Sequence, residues 1–509
     1  MDPTDMLPPP LQFHTHEYLL AMIKTYLFYD IETTGLNKAF DQVLQFAAVR
    51  TDRQLNEINR LTLKIKLRPD VIPSPGAVIT NRIPLKDLAS GLSEYEAIQQ
   101  IHRLMNQRNT ISLGYNSLGF DDEFLRFAFH RNLLPPYTHQ FRNGCRRMDL
   151  LPITVMYWLY KREVINWPEV EAKPSLKLEH ISEVNQLTGG PAHDATVDVI
   201  ATLALARKFF KSQKMWHYLL GYFDKETDAH RISDIPATFQ SALGEHRWGL
   251  MVSSEYGPHL MYQVPVLSIG SSIPYSNQTL WLRLDAPALA ETKADTIDAT
   301  TWIIRKRYGE SGILLPPNRR YLKFLGAERK AVANENLKWL QANPALFQQI
   351  VDYHRTYTYP FIPNLDPDAA LYQIGFFSRG DEMLFKEFQT AAPHEMESIA
   401  RRLTSPDARI LANRVIGRNF PQFLSEASAA EFETYMRRIN PSSENQALQD
   451  YKGALRLTPA AALSEIKHLR KSGSLDNEQL TLLDELQNHI ETHFPKRGAG
   501  EQLTIGKNF

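Results

Sequence analysis

The sequence predicts an α/β domain, followed by a β-rich section and a mostly helical C-terminal third. Three observations carry this expectation. Strand-like apolar runs alternate with helical spacing up to about residue 212, and mixed elements of that kind make an α/β domain. Residues 231–325 are rich in Gly, Pro and Ser and hold short β-type runs. From Leu325 onward, helical patterns dominate. A chain of 509 residues is long enough for about three such domains.

Tyr26–Ile31 is an apolar, aromatic and β-branched run that ends at the turn-forming Thr33-Thr34-Gly35. Val43–Arg50 is a second strand, and Leu61–Leu67 alternates apolar residues with Thr and Lys as a half-buried strand does. Ser93–Met105 has helical spacing, Thr110–Tyr115 is a short strand, and Asp122–Arg131 and Asp194–Phe209 are helical. The β-type runs of the middle section are Leu260–Leu267, Thr279–Leu284 and Thr301–Ile304. The expected C-terminal helices are Asn334–Tyr353, Asp381–Gln389, Glu395–Leu403, Ala429–Ile439, Pro459–Lys471 and Asn477–His493. The expected domains are 22–212, 213–350 and 351–495, with a tail over 496–509. Residues 1–21, with Pro3 and Pro8–Pro10, are expected to be a disordered extension, and Met22 is a candidate start.

With 22% charged and 10% aromatic residues, the chain is an ordinary folded protein by composition. Its one cysteine, Cys145, permits no intrachain disulfide and no cysteine-built metal cage. A single thiol favours a reducing compartment, so a cytoplasmic location is expected. The longest apolar stretch, Leu150–Tyr160, is far below the roughly 20 residues that span a bilayer. The 57 basic and 57 acidic residues cancel, which argues against a uniformly basic nucleic-acid binder. By section the balance is 23 against 23 over 1–210, 16 against 13 over 211–350, and 18 against 21 over 351–509. Most of the middle excess lies in Arg305–Lys330, where eight basic residues face two acids.

Three segments carry chemistry. On a strand, residues i and i+2 share a face, so Asp30 and Glu32 project together with Ile31 turned to the core. Paired carboxylates repel unless a cation neutralises them, and hard oxygen donors suit Mg²⁺ or Mn²⁺. The second segment runs from a Gly/Asn/Ser loop into Phe120-Asp121-Asp122-Glu123-Phe124-Leu125, with acids opening a helix. The third is His193-Asp194-Ala195-Thr196-Val197-Asp198, where a His follows a Gly/Pro loop and an Asp sits in the first turns of a helix.

Asp30-x-Glu32, Phe120-Asp121-x-x-Phe124-Leu125 and His193-x(4)-Asp198, in that order, resemble the DEDDh family of 3′→5′ exonucleases. The resemblance implies a ribonuclease H-like sheet with helices on its faces. It also implies Asp30, Glu32, Asp121 and Asp198 as metal carboxylates and His193 as general base, with two Mg²⁺ per site and Mn²⁺ as a substitute. Asp122 and Asp194 fall off the signature and are read as capping or solvated acids. Two divalent ions can activate a water and stabilise a leaving 3′-oxygen, and a near-neutral imidazole is suited to take the water's proton. Leu36 is placed either to wedge against the terminal base or to fill the turn. Thr33 and Thr34 are expected to offer backbone N–H groups to the terminal nucleotide.

Further stretches narrow the resemblance to the bacterial exodeoxyribonuclease I family. They include Gln45-Phe46-Ala47-Ala48, Asn166-Trp167-Pro168-Glu169, Leu371-Tyr372 with Gly375-Phe376-Phe377, and Arg418-Asn419-Phe420-Pro421. That family implies an SH3-like fold for the β-rich section. It implies degradation of single-stranded DNA to 5′-mononucleotides, roles in DNA repair and recombination, and a monomer. It also implies a basic surface for the acidic C-terminal tail of single-stranded-DNA-binding protein, where Arg147, Tyr218 and Arg329 are expected. Arg305, Arg307, Arg319 and Arg320 are candidates for the same patch or for DNA. The aromatic cluster Tyr353–Phe377 suits interface packing more than base stacking. A relative acting on RNA and an inactive nucleic-acid-binding scaffold are the alternatives.

Overall fold

The structure, a computed structural model, describes residues 25–188, 194–443 and 446–495. The expected extension over 1–21, the tail over 496–509 and His193 lie outside the described residues.

The first sheet has five strands: β1 Thr25–Thr33, β2 Val43–Thr51, β3 Glu57–Lys64, β4 Thr110–Gly114 and β5 Arg146–Asp149. Their order is β3-β2-β1-β4-β5. The β1–β2 and β2–β3 pairs are antiparallel, whereas β4 runs parallel to both β1 and β5. With helices on both faces, this is the expected ribonuclease H-like arrangement. One face buries Leu27, Tyr29 and Ile31 against α2 (Glu94–Met105) and α3 (Asp121–Arg131), which follow α1 (Pro75–Asn81). The other face buries Tyr26 and Phe28 against α4 (Leu150–Tyr160) and α6 (Ala195–Phe210), with α5 (Leu178–Asn185) between them in sequence. Strand alternation continues that second face beyond the core to Asp30 and Glu32.

Helices α7 (Gln213–Leu220) and α8 (Lys225–Ser233) lead to a second sheet. It is antiparallel throughout, from β6 Trp248–Val252, β7 Gln263–Ser271, β8 Gln278–Arg283, β9 Ile303–Arg307 and β10 Ile313–Leu315, in the order β9-β8-β7-β6-β10. Leu250, Val252, Ile313 and Leu315 join the core beneath α4, so the two sheets share one apolar interior. The expected single helix Asn334–Tyr353 is two, α9 Ala327–Ala342 and α10 Pro344–Thr356, because Pro344 cannot continue the preceding helix. Phe347, Ile350 and Val351 of α10 pack with Leu267, Leu280 and Leu282. The expected boundary at 350–351 therefore falls inside a helix that belongs with the second sheet.

The C-terminal third is helical: α11 Arg379–Thr390, α12 Met396–Arg402, α13 Pro406–Asn419, α14 Glu426–Ile439, α15 Pro459–Lys471 and α16 Asn477–His493. Helix α13 has no counterpart among the expected helices. It buries Asn413, Arg414 and Arg418 beside its apolar residues, which breaks the periodicity that marks a buried helix. Those arginines anchor an ionic cluster that joins this third to the loop after β3 and to the start of α2. Arg418 contacts Asp70 at 2.9 Å, Asp368 at 2.5 Å and the Tyr435 hydroxyl at 2.9 Å. Arg68 reaches Asp70 and Glu94, and Arg414 reaches Asp366. Burial pushes the Asp70 carboxyl up, but Arg418, Arg68 and Arg456 outweigh it and hold the group well below its ordinary range. Among the described residues, no helix is long and apolar enough to cross a membrane.

Removing one partner of a buried ion pair strands the others. Arg418→Ala is expected to cost about 3–5 kcal/mol of stability in denaturant unfolding. Arg82→Ala, which breaks exposed pairs with Asp476 and Glu478, should barely move the midpoint.

Candidate active site

The site forms where β1 leaves the core. Asp30, Glu32 and Asp198 each bring a carboxylate oxygen within 4.8 Å of the other two. Asp198 reaches the strand from α6, whose first turn is set by Asp194: the Asp194 carboxylate accepts from Thr196 N at 2.8 Å and caps the helix. Asp121 opens α3, and its Oδ1 accepts from Ile31 N at 3.2 Å, which ties the helix to the strand between Asp30 and Glu32. Asp121 lies outside the compact three-oxygen group, yet its charge acts on Asp30 and Glu32.

Burial is the largest influence on Asp30, Glu32 and Asp121, followed for Asp30 and Glu32 by repulsion from the neighbouring carboxylates. Asp30 is raised well above the carboxylate range by burial and by Asp121, Asp198 and Glu32. Glu32 is pushed up to about 8 by burial, Asp198 and Asp121. Asp121 is also pushed up to about 8, chiefly by burial. An all-oxygen donor set with too much negative charge fits a hard divalent cation.

The turn after β1 is braced from within. Asp41 accepts from Thr34 Oγ1 at 2.9 Å and from Asn37 N at 2.8 Å. A Cβ on Gly35 would lie 2.5 Å from Asp41 Oδ2, so this position needs glycine for space. Leu36 is 81% exposed, which removes the turn-filling alternative. Thr34 is corrected: its N–H is already given to Gln42 O at 2.9 Å, so it has none to offer a nucleotide. Thr33 is buried, and its hydroxyl donates to Gly35 O at 2.7 Å. Behind the turn, Asn81 donates to Thr33 O and Ser74 N to Thr34 O.

Two acids beside the cluster have structural work. Asp122 is neither capping nor solvated; it is fully buried among Arg126, Arg147 and His139 at 2.5–2.8 Å. Burial pushes it up, but Arg147, Arg126 and His139 outweigh that and hold it well below the ordinary range. Asp149, absent from the sequence expectations, accepts from Asn116 N, Leu118 N and Leu151 N at 2.8–3.0 Å. Burial raises it to about 6 against those bonds. The signal was available, since an Asp directly before the apolar Leu150–Tyr160 run is an N-cap pattern.

The proposed basic surface needs correction at two positions. Arg147 is 7% exposed and pairs with Asp122 and Glu310, so it is an interior tie between the sheets. Arg329 is bound to Asp285 and donates to Leu260 O and Gln263 O, which pins the second sheet. Tyr218 lies under Arg231, with 4.1 Å from guanidinium to ring, and its hydroxyl meets Tyr222. Arg305 covers the Tyr357 ring, Arg320 covers Tyr160 and Tyr321, Arg307 is 3.8 Å from Glu310, and Arg319 is exposed.

Residues 27–206 match the family described as Exonuclease, and residues 365–493 match the Exonuclease I C-terminal domain. Exodeoxyribonuclease I of Escherichia coli (strain K12) is 30% identical over 439 residues, covering 82% of this chain and 90% of that protein. The chain belongs to the exodeoxyribonuclease I family. The zinc-bound form of the E. coli exonuclease I–single-stranded DNA complex superposes with a TM-score of 0.78 at 25% identity, covering 92% of this chain and 99% of that one. An SSB/exonuclease I structure with the inhibitor CFAM superposes at 0.76, also at 25% identity, covering 92% and 100%. The family match and the clustered acids together indicate divalent-metal use at this site.

Raised carboxylates bind protons in the folded chain that the unfolded chain releases. Metal-free stability therefore falls as pH rises from the ordinary carboxylate range toward about 8 for Glu32 and Asp121. A cation that binds the deprotonated acids reverses this. The gap in melting midpoint between Mg²⁺ and EDTA is expected to widen from pH 5.5 to 8.5, and Glu32→Gln should flatten it. A pH-independent gap would contradict the assignment.

Proposed function

We infer that the protein is a 3′→5′ exonuclease that degrades single-stranded DNA to 5′-mononucleotides, with two Mg²⁺ held by Asp30, Glu32, Asp121 and Asp198. The observation that carries the reading is the convergence of Asp30, Glu32 and Asp198 in a chain of the exodeoxyribonuclease I family. When bound, two such ions activate an attacking water and offset charge on the leaving 3′-oxygen. Asp30 and Glu32 present their carboxylates from one strand face, and Asp198 does so from a capped helix, so the ligands sit on rigid elements. Asp121 holds α3 to the strand through Ile31 N while adding its charge. His193, next to the capping Asp194, takes the proton of the attacking water on an imidazole nitrogen. Leu36, exposed beyond the turn, packs against the terminal base.

The partners proposed are single-stranded DNA and the acidic tail of single-stranded-DNA-binding protein, in keeping with the relatives' complexes. A cytoplasmic monomer acting in DNA repair and recombination completes the reading. The division proposed is a nuclease domain over 22–212, a second-sheet domain extended through α10 to Thr356, and a helical domain to 495.

The test is release of label from 3′-labelled single-stranded DNA, duplex DNA and RNA, each with Mg²⁺ and with EDTA. Release from single-stranded DNA with Mg²⁺ alone is expected, and none from any substrate would overturn the reading. Asp30→Asn should lower the rate about 1,000-fold, the equivalent of about 4 kcal/mol of lost charge stabilisation, without loss of fold by circular dichroism. His193→Ala should lower it about 100- to 10,000-fold.

A further inference from the structure

Helix α3 opens with three acids, and the third has its own set of partners. The Glu123 carboxylate accepts from the Tyr372 hydroxyl at 3.0 Å and from the Tyr451 hydroxyl at 2.8 Å, and it pairs with Lys38. Lys38 also donates to Gly119 O at 2.6 Å. The rings below are packed: Phe127 stacks on Tyr451 at 5.0 Å and meets Tyr372 edge-on at 5.4 Å. One carboxylate thus joins the turn that carries Leu36, the helix that begins at Asp121, and two places in the C-terminal third.

Tyr372 belongs to residues 357–378, which contain no helix or strand and link α10 to α11. The near end is tied to the loop between β7 and β8 of the second sheet: Tyr359 N donates to the Tyr275 hydroxyl at 2.9 Å, and just before the segment, at the end of α10, Arg355 O accepts from Ile273 N at 2.8 Å. Gln373 closes the middle by bonding Ile362 N and O, both at 3.1 Å. The segment therefore crosses from the second sheet to the helix that bears Asp121. Along it, Phe361 and Phe376 are 76% and 90% exposed. Aromatic faces left in water on a crossing segment suit stacking against bases of a strand held beneath it.

We propose that Glu123 is a positioning residue that latches this crossing segment to the active-site helix, and so sets how long a single strand is retained between cleavages. The inference rests on the single-strand exonuclease reading above and adds a determinant of retention to it. Hydrogen bonds to a charged acceptor are stronger than neutral ones, so two tyrosine hydroxyls on one carboxylate make an effective fastening. Tyr372→Phe and Tyr451→Phe keep the ring packing on Phe127 and remove the two hydroxyls that fasten Glu123.

The test is dissociation of a 5′-fluorescent oligothymidylate in EDTA with unlabelled competitor as trap, which requires no cleavage. The double variant Tyr372→Phe/Tyr451→Phe is expected to release the strand about tenfold faster than the unmodified protein. With Mg²⁺ and trap, nucleotides removed per binding event should fall similarly, while first-nucleotide release from a preformed complex stays within about twofold. Glu123→Gln should do the same in part, which keeps the test decisive if the double variant melts early. Unchanged dissociation in both variants would overturn the latch, and so would first-nucleotide release that falls in step with run length. An unmodified protein that holds no single strand would instead overturn the function on which the latch rests.

Discussion

Bringing the like-charged carboxylates of Asp30, Glu32, Asp121 and Asp198 together where burial also disfavours their charge is the constraint around which the first sheet and its helices are arranged. Burial and like charge push Asp30, Glu32 and Asp121 to retain protons at pH values where a free carboxylate has lost them. The contrast between adjacent residues shows how local this is. Asp121 is raised, while Asp122, one position along the same helix, is held low by Arg126 and Arg147. Asp70 is likewise held low by Arg418, Arg68 and Arg456. The fold supplies arginines to structural acids and leaves excess negative charge at the strand end, as a cation-binding site requires.

Holding four such acids together takes support from well beyond the strand. Core packing fixes β1 through Tyr26 and Phe28 on one face and Leu27, Tyr29 and Ile31 on the other. The turn beyond it rests on Asn81 and Ser74 at the α1 end of a longer chain of contacts. That chain continues into the C-terminal third, where Glu465 accepts from Gly76 N and Gln479 donates to Ile79 O. The buried ionic cluster around Asp70 and Arg418 clamps the same two parts. The C-terminal helices therefore belong to the active-site support as well as to any channel for the strand.

The elements that carry the site were legible because they obey local rules. Period-two alternation put Asp30 and Glu32 on one face, and helical spacing found α3, α6, α15 and α16 to within a residue or so. What stayed hidden depended on long-range pairing. Arg414 and Arg418 look like surface residues in sequence, so α13 went unseen; both are buried by partners about 50 and, for Asp70, 348 positions away. Arg147 looked like part of a basic patch because Asp122 and Glu310 lie 25 and 163 positions from it. Thr34 looked like a free donor although its N–H is given to Gln42 O, because the turn signal Thr33-Thr34-Gly35 marks the turn and not the partner across it.

The neutral overall charge, 57 basic against 57 acidic residues, conceals this division: buried structural acids are matched by arginines, and the strand-end acids are not. The central claim is that the strand-end acids exchange protons for divalent cations. Proton release on Mn²⁺ binding at pH 7, counted by calorimetry in buffers of different ionisation enthalpy, tests it most directly. The account predicts a net release of about one proton or more per site, which Asp30→Asn diminishes. Binding without proton release, or binding unaffected by Asp30→Asn, would contradict it.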